Sequence, residues 1–268
     1  MLREFGYYKP GRATVFFEIF RKLGLSRGFM RRKIYKSWQN QGYEIVDTTI
    51  RGIKYRLNIR DNTTDRKILT TSKFYDFKEI DALARAAKPS QQDKVFLDIG
   101  ANTGHYSLSL AKRGFTKIIA IEPNPPTLEL LSFNVKINNL ESVISIVPLC
   151  IGDGTKVPFY SSNGLGTASV FKDEADDSPP IYVASDTLVN ILKSQNITKL
   201  DAMKIDIEGF EDHALFPFFA DAPESLWPRC IVIEPNSASW EKDILAQLET
   251  LGYVRTGKTR GNVIMNRA

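Results

Sequence analysis

Two cysteines and two histidines in 268 residues leave little soft-ligand chemistry in this chain. Cys150 and Cys230 fall in apolar, strand-like runs and read as buried thiols of a reducing compartment, not as a disulfide framework. With only His105 and His213 beside them, a structural zinc site is not expected. Both histidines open helices and read as ordinary helix-start residues. No apolar run approaches the ~20 residues of a membrane-spanning helix. The start, MLREFGYYKPGR, lacks the basic-then-apolar order of a signal peptide. The dinucleotide fingerprint G-x-G-x-x-G is also absent.

What is present is charge, unevenly placed. Residues 1–36 carry ten Lys or Arg and two acids, a net +8, against +5 for the whole chain; the rest therefore carries −3. The basicity belongs to the N-terminus. Residues 13–36 mix aromatic and basic side chains at roughly helical spacing, interrupted by Gly24 and Gly28. They read as a helix packed on the body or a neighbouring subunit, or as a basic amphipathic helix against a membrane surface or an acidic partner.

Residues 43–71 alternate apolar and polar and read as short antiparallel strands around polar turns. Residues 76–88 read as a helix stopped by Pro89. From residue 93 strands alternate with helices: VFLDIG, KIIAIEP, VISIVPLCIG, AMKIDI and RCIVIEP are the strands, and YVRT with NVIMNR closes the chain antiparallel. Such alternation argues for a parallel sheet covered on both faces. The expected organisation is a basic helical extension over 1–45, a hairpin and helix lead-in over 46–92, and an α/β domain over 93–268. A polar insert at 153–182 carries a glycine-rich lid at 163–169 and a solvated acidic run at 173–177.

In such sheets ligands bind beyond the carboxyl ends of the strands, where the strand order reverses. After the first parallel strand stands DIGANTG, with Asp98, Gly100, Asn102 and Gly104; after the second stands Glu122. Glycines let the backbone approach a ligand, and an acid at that distance suits two ribose hydroxyls. With the pyrophosphate glycine missing, a nucleoside without phosphates fits better. KIDIEGFE then brings Lys204, Asp206 and Glu208 to one strand face. A buried carboxylate without a partner is costly, so Asp206 needs a donor.

Three ordered segments, VFLDIGANTGHYSLSLAKRG, IAIEPNPPTLELLSFNVKINNL and MKIDIEGFE, resemble the FkbM family of S-adenosylmethionine-dependent methyltransferases. The resemblance covers about residues 50 to 255. It implies a class I methyltransferase (Rossmann-like) fold: a seven-stranded, mostly parallel sheet with an antiparallel last strand, here with an N-terminal helical and hairpin extension. It implies O-methylation of a carbohydrate (glycan, polysaccharide or glycolipid precursor) or a related secondary metabolite. It places Asp98, Gly100, Asn102 and Gly104 near the methionine part of the cofactor and Glu122 on the ribose with Asn124 close by. Cys150, Ile151, Gly152 and Asp153 would border the adenine, and Asp206 and Glu208 the transfer site. The donor for Asp206 is then the cofactor's ammonium, the acceptor hydroxyl or Lys204. As general base Asp206 and Glu208 rank above Glu234, with His213 last; Glu211 and His213 are read as reaching the same crevice.

A divalent cation on Asp206, Glu208 and Glu234 is conceivable but not expected. No nucleic-acid partner is expected, the setting is cytoplasmic with a peripheral membrane contact through 13–36, and the product is S-adenosylhomocysteine. The rivals are a nucleic-acid or protein methyltransferase and a non-catalytic cofactor-binding module.

Overall fold

The computed structural model describes residues 3–9, 32–33, 36–38, 40–71, 74–88, 90–160 and 179–268. The glycine-rich segment 163–169, the acidic run 173–177 and most of 13–36 lie outside them. Among the described residues no helix is long and apolar enough to cross a membrane.

A hairpin comes first, β1 (Ile45–Ile50) and β2 (Ile53–Asn58), joined by Arg51 and Gly52. Both turn residues have positive φ, 48° and 76°, which matches the twist of a two-residue hairpin turn. α1 (Thr63–Thr70) follows. The alternation of the sequence predicts a strand here; the chain is helical because Asn62 caps it, its side chain accepting the Thr64 and Asp65 N–H groups. α2 (Phe77–Ala86) then leads into the main sheet.

That sheet is built from β3 (Val95–Ile99), β4 (Lys117–Ile121), β5 (Ile144–Val147), β9 (Ala202–Ile205), β10 (Cys230–Ile233), β11 (Tyr253–Lys258) and β12 (Val263–Arg267). Its order is β11-β12-β10-β9-β3-β4-β5, parallel from β10 to β5, with β12 antiparallel to both neighbours. The chain runs outward from β3 to β5 and then returns to place β9 on the other side of β3. The strand order therefore reverses between β3 and β9, and a crevice opens beyond Ile99 and Ile205, which are register partners.

The third apolar run divides. Pro148 has no N–H for a ladder, so β5 ends at Val147, and β6 (Cys150–Ile151) turns away to pair with β8 (Ile181–Asp186). β7 (Lys156–Phe159) completes that small sheet, so part of the polar insert is strand.

Helices α3 (His105–Lys112) and α4 (Pro125–Ile137) cover one face with the hairpin, α1 and α2. Helices α5 (Leu188–Ser194), α6 (Glu211–Asp221) and α7 (Ile244–Thr250) cover the other. The alternation of the central strands sorts their side chains: Phe96 and Val232 join the first core, Leu97, Met203 and Ile231 the second. The hairpin shares the first core through Tyr55 and Leu57. Asn134 of α4 reads its edge, accepting the Arg56 N–H at 2.6 Å and donating to the Arg56 carbonyl at 3.1 Å. Residues 3–9 lie on the hairpin over a buried ion pair, Arg56 with Asp47 at 2.7 Å, and the Asp47 carboxylate also accepts the Gly6 N–H.

Candidate active site

The crevice encloses about 1040 Å³. Its floor is the turn after β3. Gly100 has φ +74°, and a Cβ there would stand 2.0 Å from the Asp206 carbonyl oxygen, so glycine is what lets the ends of β3 and β9 come together. Every N–H from Gly100 to Gly104 is already donated. Gly100 and Ala101 donate to the Ile121 carbonyl, Asn102 to Glu122 Oε2 at 2.9 Å, Thr103 to Asn102 Oδ1, and Gly104 to the Ala101 carbonyl. A phosphate-binding loop needs free N–H groups. This loop has none, and a carboxylate faces it. A nucleoside without phosphates fits the donor set; a dinucleotide does not.

Glu122 is buried, and its other oxygen accepts the Asn124 N–H at 3.0 Å. Burial pushes its carboxyl up to about 7, against the pull of those two N–H groups. An ionised Glu122 accepts hydroxyl protons and a neutral one accepts them poorly. A nucleoside held through its hydroxyls is therefore expected to bind about tenfold more tightly at pH 8 than at pH 6, as the ionised fraction rises. Calorimetry with S-adenosylhomocysteine checks this; a pH slope that persists in Glu122→Gln would assign it to another group.

Asp206 stands at the carboxyl end of β9. Lys204 Nζ donates to its Oδ2 at 2.9 Å. The Lys204 side chain is 6% exposed and that of Asp206 33%, so the ammonium is sunk beneath a carboxylate that opens into the crevice. Burial opposes both charges. Lys204 and a hydrogen bond from Glu234 nevertheless hold Asp206 below the usual carboxylate range, while Asp206 and Asp98 hold Lys204 above its own. Burial, then the Asp206 charge, raise Glu234 well above the carboxyl range, so it carries the shared proton at neutral pH. Burial, with Asp206 and Glu211, lifts Glu208 to about 7. One carboxylate oxygen from each of Asp206, Glu208 and Glu234 lies within 4.8 Å of the others. A divalent cation accepts that spacing, but the Lys204 ammonium already supplies positive charge at Asp206.

Of the ten residues expected on the cofactor, five line the crevice, Gly100, Asn102, Glu122, Cys150 and Ile151, and Asp206 of the transfer site lines it with them. Asp98 lies behind the loop, fully buried, with Oδ2 accepting from the Ser107 N–H and hydroxyl and Oδ1 without a partner. Gly104 is packed beneath it, where a Cβ would meet Leu131 at 2.7 Å. Asn124 is buried at the start of α4, and Asp153 turns to solvent to accept from Thr155. The three acidic candidates, Asp206, Glu208 and Glu234, come together. Glu211 and His213 do not reach the crevice. Glu211 accepts backbone N–H groups of the loop beside it, and His213 stacks on Phe210 beside Glu241. His105 is a core residue between Tyr55 and Tyr75, kept neutral by burial at about 4.

Other residues come only with the tertiary structure. Asn62 donates to Asn102 Oδ1 at 2.6 Å, and the Thr103 hydroxyl donates to buried Asp65 at 2.5 Å, so α1 braces the loop from outside. Lys67, Tyr75, Asp76 and Phe77 form one wall and residues 259–262 of the β11–β12 turn another. Nothing local in the sequence marks Lys67, Phe77 or the 259–262 turn. They gather because α1, α2 and that turn surround the same strand ends.

The sequence pattern of the family described as "Methyltransferase FkbM domain" matches residues 98–255, so both walls lie outside it. The tRNA(Phe) (4-demethylwyosine(37)-C(7)) aminocarboxypropyltransferase of Pyrococcus horikoshii is 32% identical over 145 residues, 52% of this chain and 47% of that protein. The chain thus spans about half the length of this relative. A protein of Methanocaldococcus jannaschii, described as a putative protein N5-glutamine methyltransferase, is 25% identical over 166 residues, 60% of this chain and 72% of its own. Among solved structures, the human methyltransferase 10 domain containing protein superposes with a TM-score of 0.50 at 12% identity, over 89% of this chain and 94% of its own. That likeness is one of fold.

Proposed function

The chain belongs to the FkbM methyltransferase-domain family, and from that membership we propose that it moves the methyl group of S-adenosylmethionine to a hydroxyl of a polyhydroxylated acceptor, a carbohydrate or related secondary metabolite. The observation that carries the reading is Asp206: an anionic carboxylate, paired to a buried lysine, facing the crevice at the strand-order reversal.

Bound S-adenosylmethionine supplies a methyl group already activated by its sulfonium. Glu122 would hold the ribose, Cys150 and Ile151 the adenine side, and Gly100 with Asn102 the path between them; Asp98 and Gly104 support the loop from behind. Asp206 takes the proton that the acceptor hydroxyl gives up. Glu234, protonated, is a donor that orients Asp206 or the acceptor oxygen. Positioning contributes roughly 7–11 kcal/mol in such reactions and a general base roughly 10²–10⁴-fold, so most of the rate comes from how the crevice holds its two ligands. Tyr75 and Phe77 offer apolar surface to an acceptor ring, and the neighbouring carboxylates accept its hydroxyls.

A second reading has its own support. The Pyrococcus relative is named for tRNA, against the expectation that no nucleic acid is involved, and the other relative is named for a protein. Six acids, Asp76, Glu79, Glu122, Asp206, Glu208 and Glu234, face four basic residues across the crevice lining. With Glu234 protonated and Glu122 and Glu208 near their midpoints at neutral pH, these charges roughly cancel, so the crevice offers a phosphate backbone no excess of positive charge.

The test is incubation with S-adenosylmethionine labelled in both its methyl group and its amino-acid chain, offered carbohydrate acceptors or total tRNA. Methyl label in the carbohydrates is the expected result. Label confined to tRNA, from either part of the donor, replaces the proposal with the second reading. Label in neither, with S-adenosylhomocysteine still bound, favours a binding module without turnover.

A further inference from the structure

Glu208 has φ +55° and Gly209 φ +99°. Left-handed backbone is uncommon for a non-glycine residue and marks a site held by its surroundings. The holder is three residues further on. Glu211, the first residue of α6, is fully buried. Its Oε1 accepts the N–H of Ile207 at 2.9 Å and of Gly209 at 3.2 Å, and its Oε2 accepts the indole N–H of Trp240 at 2.7 Å. The two backbone donors flank Glu208, so one oxygen clamps the peptide on either side of it. Trp240 lies in the segment that follows β10, and that segment begins with Glu234. One buried carboxylate thus ties together the two chain segments that deliver Asp206, Glu208 and Glu234 to the crevice.

We infer that Glu211 is a positioning residue: bridging the loop after β9 and the segment after β10, it holds Glu208 turned into the crevice beside Asp206 and Glu234. The inference rests on reading those acids as the acceptor side of the site. A residue that merely started the helix would do its work as glutamine. The bridge cannot, because it faces three N–H donors and no acceptor. In Glu211→Gln an NH₂ group meets either the Trp240 indole N–H or the two loop N–H groups, donor against donor. Trp240→Phe removes the indole donor, leaving the glutamine oxygen free for the loop.

The experiment is ¹³C NMR titration of protein labelled at the glutamate side-chain carboxyl. The Glu208 signal is identified by its loss in Glu208→Gln, and no acceptor or turnover is needed, so failure here is distinct from failure of the methyl-transfer reading. In the parent chain burial, with the Asp206 and Glu211 charges, lifts Glu208 to about 7, and the titration is expected there. The expected result for Glu211→Gln is a midpoint lower by about two pH units, toward the ordinary glutamate range, as Glu208 swings away from Asp206 and also loses the repulsion of the Glu211 charge; the double variant with Trp240→Phe lacks that charge too, so its recovery reports the swing alone. Trp240→Phe alone leaves the midpoint in place, and the double variant Glu211→Gln/Trp240→Phe recovers at least half the shift. An unchanged midpoint in folded Glu211→Gln overturns the inference. Should that variant not fold, the double variant is read alone: a midpoint near 7 supports the bridge, and one in the ordinary glutamate range overturns it.

Discussion

Asp206→Asn is expected to lower methyl transfer by roughly 10²–10⁴-fold, the usual worth of a positioned base, while S-adenosylhomocysteine binds within a few-fold of the parent chain. The amide keeps the shape of the side chain, so the turn over Gly100 keeps its contact. What disappears is the proton acceptor, and with it the charge that Lys204 neutralises at 2.9 Å. Breaking a buried pair outright costs roughly 3–5 kcal/mol. Here the loss is expected to be smaller, because Asp98 also supports the Lys204 charge. A modest fall in melting temperature should therefore accompany a large fall in rate. Glu234 would also ionise at lower pH, because the Asp206 charge no longer opposes it. Turnover is measured with whichever acceptor takes label, below the melting point of the variant. A rate within fivefold of the parent would remove Asp206 from the proposed chemistry.

Gly100→Ala is expected to abolish detectable cofactor binding and to lower stability by about 2–4 kcal/mol. The new Cβ would meet the Asp206 carbonyl oxygen at 2.0 Å and its carbon at 3.1 Å, on a residue whose φ is +74°. Neither partner yields readily. The Asp206 N–H is donated to the Ile99 carbonyl, and Ile99 is paired in register with Ile205. The loop must move instead, and Asn102 then leaves Glu122. Gly52 is the internal control: its φ is +76°, but its Cβ would meet nothing within 4 Å. Gly52→Ala should therefore cost only its backbone conformation, about 1 kcal/mol. Calorimetric titration and thermal melts on both variants separate the terms. Tight binding by Gly100→Ala would mean that the approach of the two strand ends is not what shapes the pocket.

What could be read from the sequence alone was local. Apolar strands, the glycine turn of DIGANTG, the acid of IEP and the charged end of KIDIEGFE follow from periodicity and turn chemistry, which depend on neighbours a few residues away. They sufficed to place Gly100, Glu122 and Asp206 at strand ends on a mostly parallel sheet. They did not show that 63–70 is a helix, because its Asn62 cap competes with an alternation that looks like a strand. Nor did they show that Glu211, three residues after Glu208 and expected in the same crevice, is instead consumed by three N–H donors at the start of α6.

Only the tertiary structure decided those partners. β9 lies between β3 and β10, so Asp98, Lys204, Asp206 and Glu234 meet across more than 100 residues of chain. The partner of a buried charge is set by which strand lies alongside, and strand order is a property of the packed sheet, not of any segment within it.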